Sequence, residues 1–152
     1  MINFSEIKNV TDEHWKLLLL ADPSKEMVES YIKKGKVYVT LENRKIVGII
    51  VLVENSLIEM EIKNIAVDPK YQGKGYGKQF IQFAISTSKM LGYERLVICT
   101  GNSSIYQLLL YQNCGFQIVN TIIDFFVQNY DEEIWENGIQ CRDLIKLEQY
   151  LQ

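Results

Sequence analysis

The densest chemical signal in the chain is a run of three glycines at alternate positions, Gly73, Gly75 and Gly77, with Lys74 and Lys78 among them. Glycine lets a backbone turn freely and approach a ligand closely, and the unpaired N–H groups opening a helix point outward with partial positive charge. A loop of this kind, between a strand-forming and a helix-forming stretch, predicts a cradle for an anion, with the lysines adding attraction. Two familiar phosphate loops do not fit. Gly-x-x-x-x-Gly-Lys-Ser/Thr fails because Lys78 stands five residues after Gly73, and Gly-x-Gly-x-x-Gly fails because its last glycine would fall on Lys78 or Phe80. A P-loop nucleotide hydrolase and a Rossmann dinucleotide fold are therefore not supported. The other reactive residue types say less. Cys99, Cys114 and Cys141 are odd in number, widely spaced and without a CxxC pair, and His14 is the single histidine, so no Cys/His metal site is expected. Small buried thiols in a reducing cytoplasm fit better than a cysteine nucleophile with His14 as its base.

The glycine loop reads Gln72-Gly73-Lys74-Gly75-Tyr76-Gly77, a Gln-x-x-Gly-x-Gly string preceded by Ile65-Ala66-Val67-Asp68-Pro69. Downstream, Tyr111-Gln112-Asn113-Cys114-Gly115-Phe116 gives Tyr-x-x-x-Gly-Phe at the end of a predicted helix. Together these resemble the acetyl-CoA-binding loop and penultimate helix of the GNAT N-acetyltransferase family, most closely from Leu57 to Phe116. The resemblance implies that main-chain groups of Ile65, Ala66 and Val67 bind the pantetheine arm. It implies that Gln72, Gly73, Lys74, Gly75, Tyr76, Gly77 and Lys78 hold the pyrophosphate of acetyl-CoA, the acyl donor, with no metal. Acetyl transfer to an amine needs a base for the amine proton, polarisation of the thioester carbonyl and a proton for the departing thiolate. Tyr111 occupies the family's tyrosine position and is the candidate acid. Glu61, eleven residues before Gln72, matches a glutamate that some members use as base, directly or through water. Strand alternation puts Glu59 and Glu61 on one face, although a bulge would change which face later residues take. The family often has an asparagine seven residues before the tyrosine. Here that position is Ser104, and Asn102, two residues earlier, is the candidate for bonding the pantetheine, while Ser103 and Ser104 could equally be helix caps.

These residues need a scaffold to hold them. Helices are predicted from Thr11 to Leu20 and from Ser24 to Lys34, then a hairpin of strands Val37–Leu41 and Ile46–Val53, and a strand from Leu57 to Val67. The glycine loop opens a helix ending at Gly92. A strand Arg95–Thr100, a helix Ser103–Asn113 capped by Gly115, and strands Phe116–Val127 and Ile139–Leu147 complete the chain. That order predicts an α/β fold, a mixed and mostly antiparallel sheet with helices on both faces, in a single domain over residues 1–152. Such a length buries a sizeable core unaided.

The 16 Lys and Arg against 19 Asp and Glu give a net charge of −3, which argues against nucleic acid as a partner. The longest apolar run, Ile46–Val53, is far short of a membrane span, and the N-terminus from Met1 shows no leader. The charge is uneven. Residues 63–95 carry six bases and two acids around the proposed cradle, and residues 131–152 carry six acids and two bases. In the latter, Asp131 to Glu136 with Tyr130 and Trp135 forms an acidic, aromatic segment suited to a cationic amine, and Tyr31 with the first two helices would line the opposite wall. The expected acceptor is thus a small cationic amine, the alternatives being a protein or peptide amine, or an acyl-CoA sensor without turnover. Two copies could pair through C-terminal edge strands as a homodimer.

Overall fold

The computed structural model describes residues 3–152; Met1 and Ile2, on which part of the N-terminal expectation rests, lie outside that range. Strand β1 spans Phe4–Ile7, helix α1 Asp12–Ala21 and helix α2 Lys25–Ile32. Strands β2 (Lys36–Glu42), β3 (Lys45–Glu54) and β4 (Glu59–Val67) follow, then helix α3 (Tyr76–Met90), strand β5 (Arg95–Gly101) and helix α4 (Ile105–Asn113). The chain ends with β6 (Gln117–Ile122), α5 (Phe125–Asn129), the short strands β7 (Trp135–Glu136) and β8 (Ile139–Gln140), and β9 (Leu144–Tyr150). Seven strands form one sheet in the order β1-β2-β3-β4-β5-β9-β6. Every neighbouring pair is antiparallel except β4 and β5.

Strand alternation divides the core in two. Ile50 and Leu52 of β3 pack on one face against Phe80, Ile81 and Ala84 of α3 and Tyr111 of α4. Ile49, Val51 and Val53 pack on the other against Leu17 and Leu18 of α1 and Val28 of α2. A strand buried on both faces reads as a continuous apolar run, which is why β3 was legible without any alternation. Gly48 sits where β3 passes closest to α3: an added Cβ would lie 2.6 Å from the Ala66 carbonyl oxygen and 2.8 Å from Phe80 Cζ. Among the described residues no helix is long and apolar enough to cross a membrane.

Three expectations are corrected. Strand β1 was not foreseen; its four residues, Phe4-Ser5-Glu6-Ile7, pair along β2 at the sheet edge. The strand expected from Phe116 to Val127 stops at Ile122, because Asp124 takes a left-handed φ of 59° and starts α5, whose backbone bonds run back on themselves. The strand expected from Ile139 to Leu147 is two pieces, β8 and β9, separated by a link through Cys141 to Asp143.

Candidate active site

The parallel register of β4 and β5 runs from Glu59 opposite Arg95 to Ile62 opposite Ile98 and goes no further. Beyond it β4 continues to pair with β3 as far as Val67, and β5 with β9 as far as Gly101. The two strands therefore splay apart, and along residues 63–67 the side of β4 facing β5 has no strand partner. Lys63 is itself unpaired, in a bulge between Asn64 opposite Val51 and Ile62 opposite Leu52. Unpaired main-chain groups need partners, and an extended ligand carrying amides can supply them.

A cleft of about 480 Å³ occupies the splay. Ile65, Ala66 and Val67 border it on one side, and the loop from Gln72 to Gly77, Lys74 apart, borders its end. A short 3₁₀ turn over Pro69–Tyr71 leads into this loop, with Asp68 capping it by accepting from the Lys70 N–H at 2.9 Å. Gln72 steadies the loop by donating from Nε2 to the Val67 carbonyl at 3.0 Å. Gly73 and Gly75 take φ of 78° and 83°, and an added Cβ would meet nothing within 4 Å at either, so conformation selects glycine there. Helix α3 begins at Tyr76, with no acidic residue in its first turn. Its opening N–H groups, free of intrahelical partners, are an anion site by construction. Lys74 and Lys78 are exposed beside the cleft rather than lining it, and Lys74 Nζ lies 5.6 Å over the Tyr71 ring.

Tyr111 borders the same cleft from α4 and is 4% exposed. Burial, with the Glu136 charge nearby, pushes its phenol well above the ordinary tyrosine range, so the hydroxyl keeps its proton at neutral pH. Ser104, at the position where the family often has asparagine, also borders the cleft. Asn102 does not: its Oδ1 accepts from the N–H groups of Arg142 (2.7 Å) and Asp143 (2.9 Å), and its Nδ2 donates to the Gln140 carbonyl (3.1 Å). Its amide braces the link between β8 and β9, away from the cleft.

A second cavity of about 670 Å³ adjoins the first, and Ile62, Lys63, Cys99, Thr100, Ser104 and Glu136 border both. Glu61 borders this second cavity; its Oε1 accepts from Asn55 Nδ2 at 2.9 Å and its Oε2 lies 3.6 Å from Lys63 Nζ. Glu59, its companion on the strand face, borders neither space and pairs with Arg95 at 3.3 Å. Burial would raise the Glu59 carboxyl, but the Asn55 hydrogen bond and the Lys146 and Arg95 charges outweigh it and hold the group below its usual range. Burial, with Glu61 beside it, pushes the Cys99 thiol up to about 12, so it is not a nucleophile at neutral pH. His14 is engaged elsewhere, its Nδ1 accepting from the Thr11 N–H at 2.9 Å at the start of α1.

The second cavity takes up part of the acidic, aromatic segment read from the sequence. Of the segment Asp131 to Glu136, Ile134 and Glu136 border the second cavity, whereas Trp135 is 59% exposed and faces away. Tyr31 and Tyr130, both named from the sequence, line the cavity, joined by Phe125 and Phe126, which were not. Tyr130 donates to Asp22 Oδ1 at 2.9 Å and Tyr31 to Asp22 Oδ2 at 3.4 Å, while Asn64 donates to the Tyr31 oxygen at 3.0 Å. Asp22 carried no motif that could have marked it; its neighbours arrive from 9 and 108 residues away.

Residues 33–118 match the family described as acetyltransferase (GNAT) domain. The chain is 48% identical over 140 residues to the uncharacterized N-acetyltransferase YvbK of Bacillus subtilis (strain 168), covering 92% of this chain and 90% of that protein. Its fold superposes with a TM-score of 0.96, at 45% identity and full coverage of both chains, on a Bacillus subtilis acetyltransferase solved in complex with CoA. A GNAT family acetyltransferase from Elizabethkingia anophelis with acetyl-CoA bound gives 0.95 at 45% identity, covering 99% of this chain and 98% of that one. A splayed sheet with a glycine loop and helix start at the end of the cleft, and relatives that carry the donor, make one case: the chain belongs to the GNAT family and is an acetyl-CoA-dependent N-acetyltransferase.

Proposed function

We propose that the chain moves the acetyl group of acetyl-CoA to a primary amine of a small cationic molecule, by direct attack of the amine on the thioester. The observation that carries this reading is the second cavity: about 670 Å³, of a size for a small ligand, lined by aromatic rings and by the carboxylates of Asp22, Glu54, Glu61 and Glu136, which outnumber the ammonium groups of Lys34, Lys63 and Lys146 there by one. Carboxylates and ring faces together attract an ammonium group. In this reading the first cleft seats the donor. Open β4 groups meet the pantetheine, the α3 start meets the pyrophosphate, and Tyr111 protonates the departing thiolate. A cytoplasmic place of action suits acetyl-CoA chemistry and three free cysteines.

A thiol-release assay with acetyl-CoA against polyamines, aminoglycosides, simple alkylamines and lysine or N-terminal peptides tests it. The expected result is fastest CoA release with a small polycation, and initial-rate lines that intersect as direct attack requires. Release with peptides alone, or acetyl-CoA binding without release for any amine, would move the protein to another acceptor class or to a sensing role.

A further inference from the structure

An amine arrives at a neutral-pH enzyme as an ammonium ion, and its proton must leave where the nitrogen meets the thioester carbon. In this molecule that place is the border between the two cavities. Four carboxylates line the acceptor cavity, and of these Glu136 alone also lines the donor cleft. From the residues bordering both spaces, we infer that Glu136 is the catalytic base that takes the acceptor's proton. The inference deepens the function proposed above and rests on its direct attack.

Several features fit Glu136 to that role. Ser104 donates to its Oε1 at 3.0 Å and Ser103 to the same oxygen at 3.4 Å, which leaves Oε2 clear of both hydroxyls. Neutral donors fix the carboxylate without the pull of a bound cation. Glu61 is placed differently: it borders the acceptor cavity only, and it faces the Lys63 ammonium and the Asn55 amide from an almost buried position, 8% exposed. The backbone holds Glu136 in place as firmly. Its hairpin turns at Asn137 and Gly138, with φ of 54° and 73°, and Asn137 Nδ2 donates to the Ser103 carbonyl at 2.9 Å. On the other side the Cys141 N–H donates to the Ile134 carbonyl at 2.7 Å, and Asn102 binds the Gln140 carbonyl. The Glu136 charge acts on Tyr111 of α4 and Cys141 beyond β8, and the cavity walls it shares also carry Asp22, Tyr31 and Lys34 from the α1–α2 region, Glu54 of β3, Glu61 and Lys63 of β4, Cys99 of β5, Tyr106 of α4, Tyr130 after α5 and Lys146 of β9. The Glu136 charge helps keep the Tyr111 proton on its oxygen until sulfur needs it.

The atoms balance. Glu136 takes one proton from the ammonium and passes it to solvent. The freed lone pair forms the C–N bond, and the C–S bond breaks with its electron pair on sulfur. Tyr111 gives sulfur its proton and regains one from the nitrogen, leaving amide, CoA thiol and both side chains as they began.

The test uses the acceptor that the wild type turns over fastest, whatever its class. Glu136→Gln keeps the shape and an oxygen for Ser104. Its kcat at pH 7 is expected to fall about 100-fold or more, the usual scale for losing a general base, with acetyl-CoA affinity and melting temperature unchanged. The deficit should shrink as pH rises towards the ~10.4 of an alkylammonium, where the substrate loses its own proton. Glu136→Asp should recover part of the rate, and Glu61→Gln, which removes a carboxylate from the acceptor cavity, should raise the acceptor KM without the pH-dependent loss of kcat expected of a base. Loss by the same factor at every pH, no loss, or the pH-dependent loss in Glu61→Gln would each overturn the assignment. Parallel initial-rate lines, the sign of an acetyl-enzyme, would overturn direct attack and this assignment together. An acceptor that proves to be a peptide would overturn the acceptor class alone.

Discussion

At Gly75 the backbone stands at φ 83° with open space where a Cβ would be, immediately before the first residue of α3. A β-branched side chain strongly disfavours that conformation, so Gly75→Val should rotate the opening peptide groups of α3 away from one another. Calorimetry is expected to show at least a tenfold weaker acetyl-CoA affinity, corresponding to about 1.4 kcal/mol, with the fold retained. An unchanged affinity would mean that these groups do not hold the donor. Gly75 and Tyr111 were legible because each belongs to a short string, Gln72 to Gly77 and Tyr111 to Phe116, whose internal spacing encodes the local geometry. Glu136 was not, since its place depends on a hairpin from the far end of the chain docking over Ser103 and Ser104. Asn102 misled for a related reason. An amide two residues from the expected position was near enough in sequence, but Arg142 and Asp143 reach it first.

Helix α1 shows how an element can turn one ionisable group into a stability switch. Thr11 precedes it, Asp12 and Glu13 fill its first turn, and His14 accepts the Thr11 N–H through a neutral ring nitrogen. Burial depresses the His14 pKa, with the Glu13 charge opposing. The folded state therefore holds the neutral ring and the unfolded chain protonates first. Stability is present above the unfolded value of ~6.5 and is lost as pH falls through it towards the lower folded value. A melting curve series from pH 7.5 to 5 should fall more steeply in wild type than in His14→Gln, whose amide oxygen can still accept that N–H. Parallel series would show that His14 does not carry the effect. At this scale the sequence announced the helices and the central hairpin through caps and apolar periodicity. It hid α5, because Phe125, Phe126 and Val127 are strand formers by composition, and the reversal hangs on the left-handed Asp124. It hid β1 as well, which has one full turn's worth of residues and gains its identity from pairing with β2.

Across the whole molecule the net charge of −3 resolves into unlike regions, with the basic excess of residues 63–95 around the donor loop. Exposed Lys74 and Lys78 attract the donor through solvent, so acetyl-CoA affinity should weaken steadily as salt rises from 50 to 500 mM, the Debye length shrinking from roughly 14 to 4 Å. Affinity flat across that range would assign binding to the backbone groups alone. The splay of β4 and β5 has a mechanical side too. Among the described residues a short ladder, the pairs from Glu59–Arg95 to Ile62–Ile98 with the Glu94 and Arg95 N–H groups donating to the Ile58 carbonyl, stitches the four-stranded half, β1 to β4, to the three-stranded half, β5, β9 and β6. A donor lying along β4 would complete that seam much as an inserted strand would. The enzyme without its donor should therefore flex about its sheet, with those amide hydrogens of residues 63–67 that face β5 exchanging quickly, and the loaded enzyme should stiffen. Each turnover, ending in the departure of CoA, would return to the protein a hinge that its own chain leaves half sewn.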